Sequence, residues 1–253
     1  MRGHIWYSCP YSTIYAHNGL TDRLVGNSDK GILMLITFEG LDGSGKTTQA
    51  ELLFKELTQM GYSVCLTREP GGTELGNIIR DILLGGHNNK NLSYKTELLL
   101  FNAARSQHIQ EVIAPALQNE TIVICDRYID STIAYQGFGQ EELSKQEIFH
   151  IEMICAYTIG VFVPEITFFL DITFEESVER NKLRSSQELN HFDSISKEFY
   201  DRIYWAYKRL VRNHPYRFAV VNGIGDIESI HSSVTNVVLK KMELRHGTYD
   251  MSP

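Results

Sequence analysis

Eight consecutive residues, Gly40-Leu41-Asp42-Gly43-Ser44-Gly45-Lys46-Thr47, carry the G-x-x-x-x-G-K-[ST] pattern at every fixed position. Glycines at this spacing let backbone N–H groups curl around phosphate oxygens, and a helix starting at the end of the loop adds partial positive charge beneath them. The Lys46 ammonium is then placed to reach the outer phosphates of a nucleoside triphosphate, and the Thr47 hydroxyl to hold Mg²⁺. A second set is Asp126-Arg127-Tyr128 with Ser131, Thr132, Tyr135 and Gln136. Asp126 closes a hydrophobic run and could orient Mg²⁺ directly or through water; a helix N-cap is the structural alternative. Arg127 is placed to clamp a phosphate. Ser131 with Tyr135, and Thr132 with Gln136, are i,i+4 pairs expected to face one cleft. In a third set, Phe101 and Arg105 stand four apart, on one helix face. A flat ring beside a guanidinium fork suits a nucleobase, which the ring stacks on and the fork bonds. A core ring with a surface ion pair fits the same spacing.

The elements around these residues must bring them together. Leu33 to Phe38 reads as a buried strand, and Thr48 to Met60 as a helix with Leu52, Leu53, Phe54 and Leu57 on its apolar side. Tyr62–Thr67 reads as a second strand, followed by the loop Arg68-Glu69-Pro70-Gly71-Gly72-Thr73 and a short helix through Ile78, Ile79, Ile82 and Leu83. Tyr94 to Leu117 is one long helical pattern, weakened at its end by Pro115. Further strands are expected at Thr121–Asp126, Ile166–Asp171 and Phe218–Val221. Helices are expected at Ser131–Gln136, at Glu141–Thr158, from Thr173 or Phe174 towards Gln187, at Phe199–Val211 and at Ile227–Met242. Strands alternating with helices imply an α/β fold, with a parallel sheet covered on both faces. Residues 1–31 show no period and read as an extension outside the fold, since Met34 heads the first strand. An organelle-targeting peptide is the alternative, against which stand only two arginines in that segment. Residues 32–242 then form a single domain, and 243–253 a C-terminal tail.

Composition narrows the chemistry. The chain has 253 residues and a formal net charge of −7, with no basic run, which argues against general nucleic-acid binding. Cys9, Cys65, Cys125 and Cys155 are far apart, with no C-x-x-C pair, so neither a zinc site nor a disulfide framework is expected and a reducing cytoplasm is. No apolar run approaches a membrane span, and the N-terminus lacks the apolar core of a secretory signal.

Four stretches in order carry a resemblance: Phe38-Glu39-Gly40 through Thr47-Thr48, Thr67-Arg68-Glu69-Pro70-Gly71-Gly72-Thr73, Phe101-Asn102-Ala103-Ala104-Arg105, and Asp126-Arg127-Tyr128 through Ala134-Tyr135-Gln136-Gly137. The chain resembles the thymidylate kinases over roughly Met34 to Val221. The resemblance implies a P-loop NTPase fold with a five-stranded parallel sheet and a small lid. It also implies a cytoplasmic homodimer that passes the γ-phosphoryl of ATP, with Mg²⁺, to dTMP. By the same resemblance Asp42 holds the sugar 3′-hydroxyl, Phe101 stacks on thymine and Arg105 bonds its edge. Arg127 bridges phosphates, Tyr135 crowds the 2′ position, and Thr132 and Gln136 line the base pocket. Arg68 and Glu69 lie near the acceptor phosphate, Glu69 with Thr47 and Asp126 near the metal.

Some members of that family carry a basic residue inside the phosphate loop; here Gly43 and Ser44 are uncharged, so the chain resembles the type that supplies it from the lid. The lid is expected at about 180–196, with Arg180, Lys182 and Arg184 as candidate cations. A surface ion pair between Glu176 and Arg180 is the structural alternative. Beyond them the chain departs from the pattern: where an Asp-Arg pair is common, it reads Asn190-His191-Phe192-Asp193, so no arginine role passes to His191. Two other readings remain open: a kinase for another nucleoside monophosphate or a nucleoside, and a nucleotide-binding switch. A GTP switch is expected to carry N-K-x-D, and Asn181-Lys182-Leu183-Arg184 lacks the acid.

Overall fold

The strand ahead of the glycine loop is β1, Leu35–Glu39, and all five of its side chains are buried. The computed structural model describes residues 34–85, 92–141, 143–182 and 196–249. Four more strands, β2 (Val64–Arg68), β3 (Ile122–Asp126), β4 (Ile166–Asp171) and β5 (Phe218–Asn222), join β1 in one sheet of order β2-β3-β1-β4-β5, every pair parallel. From β1 the chain moves to one side for β2 and β3, then crosses to the other for β4 and β5. The carboxyl end of β1 therefore opens onto the crevice where such sheets hold ligands. Register sets two future site residues at that end: Phe38 lies opposite Asp126, which in turn lies opposite Arg68.

Continuous apolar runs, rather than alternation, are what a parallel sheet covered on both faces requires. Successive residues go to opposite cores. Leu35, Val123 and Phe169 pack on one side, among Ile151, Ile203 and Tyr207. Ile36, Ile124 and Phe168 pack on the other, among Leu53, Leu57, Val234 and Val238. The second layer is built by α1 (Lys46–Gln59) and the C-terminal helix.

Between β2 and β3 lie α2 (Glu74–Leu83) and α3 (Tyr94–His108). The long helix expected through Leu117 is not uniform: α3 passes into a π-helical turn, Ile109–Ile113, and ends in an α-helical turn, Ala114–Gln118. Pro115 explains the change, because it has no N–H to donate and its ring crowds the preceding turn. After β3 a single turn, α4 (Ile129–Thr132), widens into a π-helical segment, Ile133–Phe138. Helix α5 (Lys145–Ile159) begins four residues later than expected, because Ser144 and Glu147 form a capping box there. Helices α6 (Phe174–Lys182) and α7 (Lys197–Asn213) flank residues 183–195. The last helix, α8, spans Ile227–Tyr249, so residues 243–249 continue it instead of forming the expected tail. The expected extension over 1–31, most of the lid and the Asn190–Asp193 departure lie outside the described residues.

Candidate active site

The glycine loop links β1 to α1. Gly45 caps α1 with φ of +94°, a conformation that a side chain would strain, and offers no side-chain hydrogen bond to the helix. Helices α2, α3, α5 and α7 each have a capping hydroxyl and an acid in the first turn. Helix α1 has neither, so its N–H groups and partial positive charge stay available to an anion. At Gly40 a Cβ would lie 2.8 Å from the Leu170 carbonyl, so the loop can cross β4 only as glycine. Lys46 is buried and its Nζ donates to the carbonyls of Leu41 at 2.7 Å and Gly40 at 3.1 Å, and to Ser44 Oγ at 3.4 Å. Burial, and after it the charge of Arg127, pushes the Lys46 ammonium down to about 8.

Thr47 donates its hydroxyl to Asp126 Oδ2 at 2.5 Å, joining the two segments that carry the metal expectation. The other oxygen, Asp126 Oδ1, is buried without a hydrogen-bond partner among the described residues. A hydroxyl and an unsatisfied carboxylate oxygen side by side form a hard-oxygen donor set that fits Mg²⁺. Glu69 does not join them. It is 4 % exposed, and both oxygens are taken: Oε2 by Arg105 Nε at 2.7 Å and Oε1 by His108 Nδ1 at 3.0 Å. Glu69 anchors Arg105, and it also lies with His108 and Cys125 in a group whose possible ligand atoms are all within 4.8 Å of one another.

Arg127 is the junction of the site. Its backbone lies in the left-handed region, φ +69°. Its guanidinium pairs with Asp42 of the glycine loop, donates to Ser131 Oγ at 2.9 Å and the Gly40 carbonyl at 3.4 Å, and lies 5.2 Å over the Tyr135 ring. Asp42 thus stands between the loop and Arg127. The i,i+4 pairs do not share one partner: Ser131 and Tyr135 meet Arg127, whereas Thr132 Oγ1 accepts from Arg105 Nη2 at 2.8 Å. Gln136 donates to Glu97 Oε2 at 3.5 Å.

Arg105 is 1 % exposed and four of its five N–H groups are spoken for: Nε by Glu69, one on Nη1 by Asn102, two on Nη2 by Tyr128 O and Thr132. One N–H remains for a base, in place of the paired fork that spacing suggested. Phe101, one turn before it, is half-buried. Arg68 ends β2 exposed, level with Asp126.

The root of the expected lid is tied to the loop. Ser177 donates to the Asp42 carbonyl at 2.6 Å, and Arg180 to the carbonyls of Gly43 at 3.4 Å and Gly223 at 2.8 Å. Arg180 therefore sits beside the glycine loop, while Lys182 is exposed at the end of α6 and Arg184 lies outside the described residues.

Three neighbours escape sequence reasoning. His108, three residues after Arg105, bonds Thr67 Oγ1 at 2.6 Å and Glu69, closing that anchor from behind. Arg80 donates to the Pro70 carbonyl at 2.9 Å; burial, then Arg68, lowers its pKa. Glu39, the last residue of β1, is fully buried and pushed up to about 7 by burial and then by Asp130. The available signals were weak: a polar residue on an otherwise apolar stripe for His108 and Arg80, and an acid ending an apolar run for Glu39.

A sequence model of the family described as thymidylate kinase matches residues 38–234. A thymidylate kinase of Mycoplasma capricolum is 39 % identical over 210 residues, which cover 83 % of this chain and 96 % of that protein. One from Pelobacter propionicus is 40 % identical over 209 residues, 81 % of this chain and 93 % of that protein. The crystal structure of thymidylate kinase from Ehrlichia chaffeensis superposes with a TM-score of 0.64 at 37 % identity, covering 81 % of this chain and 98 % of that one.

Proposed function

The chain belongs to the thymidylate kinase family, and from that premise we infer how its own residues do the work of a dTMP kinase. The γ-phosphoryl group of ATP passes to the 5′-phosphate of dTMP, giving dTDP. The observation that carries the assignment of roles is Arg127, which touches the donor loop at Asp42 and Gly40 and the acceptor side at Ser131 and Tyr135.

A general base is not needed. A phosphate monoester has its second pKa near about 6, so the acceptor is already mostly dianionic at neutral pH. What remains is alignment and neutralisation of charge. The glycine loop and the open end of α1 take the ATP phosphates, Lys46 reaches the outer ones, and Arg127 draws donor and acceptor together. Asp42 turns from Arg127 to the sugar hydroxyl; Phe101 stacks on thymine, Arg105 offers its remaining N–H, and Thr132 and Gln136 close the pocket edge. Tyr135 crowds the sugar, and Arg68 stands at the acceptor's entrance. Thr47 and Asp126 would hold Mg²⁺, which supplies charge neutralisation across the phosphates. Arg180, Lys182 and Arg184 are the candidate lid cations, and the contacts of Arg180 with the glycine loop support it.

We propose a homodimer. Leu75 and Ile78 on α2, Leu99 on α3, and Met153 and Tyr157 on α5 are all at least 42 % exposed, on three helices packed as one layer. Such a stripe supports burial against a second copy. Cys65, Cys125 and Cys155 are free thiols, which supports a reducing cytoplasm, and no described helix is long and apolar enough to cross a membrane. A coupled ADP-release assay with dTMP, dUMP, AMP, CMP and GMP as acceptors tests the reading; preference for any acceptor over dTMP would overturn it.

A further inference from the structure

Glu39 ends β1 and is wholly buried immediately before the glycine loop. A carboxyl in such a place is costly unless its oxygens are bonded. Both are. Oε1 accepts from the backbone N–H groups of Tyr128 at 2.8 Å and Ser131 at 3.2 Å. Oε2 accepts from the hydroxyls of Ser131 at 2.5 Å and Tyr207 at 2.8 Å. Three of the four donors lie just after Arg127, whose backbone occupies a region that L-residues avoid. Arg127 itself donates its N–H to the Phe38 carbonyl at 3.0 Å, so the turn is strapped to the end of β1 from both sides.

The side chain is governed too. Ser131 Oγ donates to Glu39 and accepts from Arg127 Nη1 at 2.9 Å. With its hydrogen turned towards the carboxyl, the serine oxygen presents lone pairs to the guanidinium. Tyr207, from α7, holds the same carboxyl oxygen and stacks on Phe169 at 5.2 Å, which fixes that side of the contact.

We propose that Glu39 is a positioning residue for phosphoryl transfer: through the Tyr128 and Ser131 amides and the Ser131 hydroxyl it sets the backbone and guanidinium of Arg127 for phosphate, without touching substrate. The inference rests on the reading of Arg127 as the phosphate clamp. Strapping of this kind is what preorganisation requires, since a charged group that must be reoriented during the reaction loses part of its effect. Glu39→Gln keeps the shape but removes the charge and turns the bond to Ser131 around.

The test compares binding of dTMP with binding of thymidine, which lacks the phosphate, by calorimetry. Glu39→Gln should weaken dTMP by roughly ten- to a hundredfold, the scale of one hydrogen bond to a charged group, and leave thymidine binding unchanged. In an Arg127→Ala background Glu39→Gln should add nothing to the loss. Equal weakening of both ligands, unchanged dTMP binding, or a full additive loss in the Arg127→Ala background would overturn the proposal. Arg127→Ala alone separates the two readings: if it weakens thymidine as much as dTMP, the clamp itself is wrong. Should Glu39→Gln fail to fold, Ser131→Ala breaks the same relay, and the same split between the two ligands is required of it.

Discussion

Arg105 Nε donates to Glu69 Oε2 at 2.7 Å, and the two side chains are 1 % and 4 % exposed. This buried pair holds the loop after β2 in place, and the role proposed for Arg105 at the base adds a second function to the same residue. Arg105→Met should therefore raise the dTMP KM and also destabilise the fold by about 3–5 kcal/mol, because it strands a buried carboxylate. Adding Glu69→Gln should recover much of the stability but not the KM. Thermal unfolding alongside steady-state kinetics checks both halves; recovery of the KM with stability would assign Arg105 to structure alone.

Lys46 offers a test of the donor site. Burial holds its ammonium down to about 8 in the free protein. Bound phosphates favour the charged form, so ATP binding near pH 8 should take up protons. Calorimetry in buffers of different ionisation enthalpy should reveal that uptake, diminishing towards pH 6. In the same range Lys46→Arg, which stays charged, should show less.

Glu39 imposes a pH dependence on stability. Its folded pKa, about 7, is raised above the ordinary 4.5 by burial and then by Asp130. The stability it contributes is therefore fully present below about pH 4.5 and lost as pH rises through about 7. Arg127, Asp130 and Lys46 are the charged groups whose fields act on it, with Tyr207 bonded to it from α7. Measured from pH 5 to 8, unfolding of Glu39→Gln relative to the parent protein should shift in the variant's favour as pH rises. A constant difference would contradict the assignment.

Leu99 is 58 % exposed in the middle of α3. If two copies meet through the α2–α3–α5 layer, Leu99→Asp places a charge in that interface, and sedimentation should report a monomer. In a monomeric protein the same surface change should move stability by less than about 0.5 kcal/mol and leave the mass unchanged.

Much of this site was legible because its pieces are contiguous. The glycine loop works through residues covalently in order, so eight letters suffice to describe a phosphate cradle, and apolar runs around it are enough to name the strand and helix. The five-strand parallel sheet follows from the alternation of strands and helices and the resemblance that the ordered motifs carry. Two departures came from local geometry that propensity does not express: the π-helical turn before Pro115, forced by a missing N–H, and the later start of α5, set by the Ser144 cap.

The residues that had to be seen in space are those whose meaning is a partner far away in the chain. Residue type and spacing marked Arg127 and Arg105 as chemistry-bearing, and the resemblance marked Asp42 and Glu69, but neither told which would pair. The fold places Arg127 against Asp42, 85 positions earlier, and Arg105 against Glu69, 36 positions earlier. Asp126 keeps one oxygen without a hydrogen-bond partner among the described residues, while Glu69 bonds Arg105 and His108. Glu39 looked like a strand terminus and proved to be bonded to the turn that carries Arg127. The sequence by itself determined the elements, the order of the motifs and the phosphate chemistry, because these depend on local spacing. Only the tertiary structure decided which charges neutralise one another, because burial makes every unpaired charge expensive and the sheet register chooses the partner.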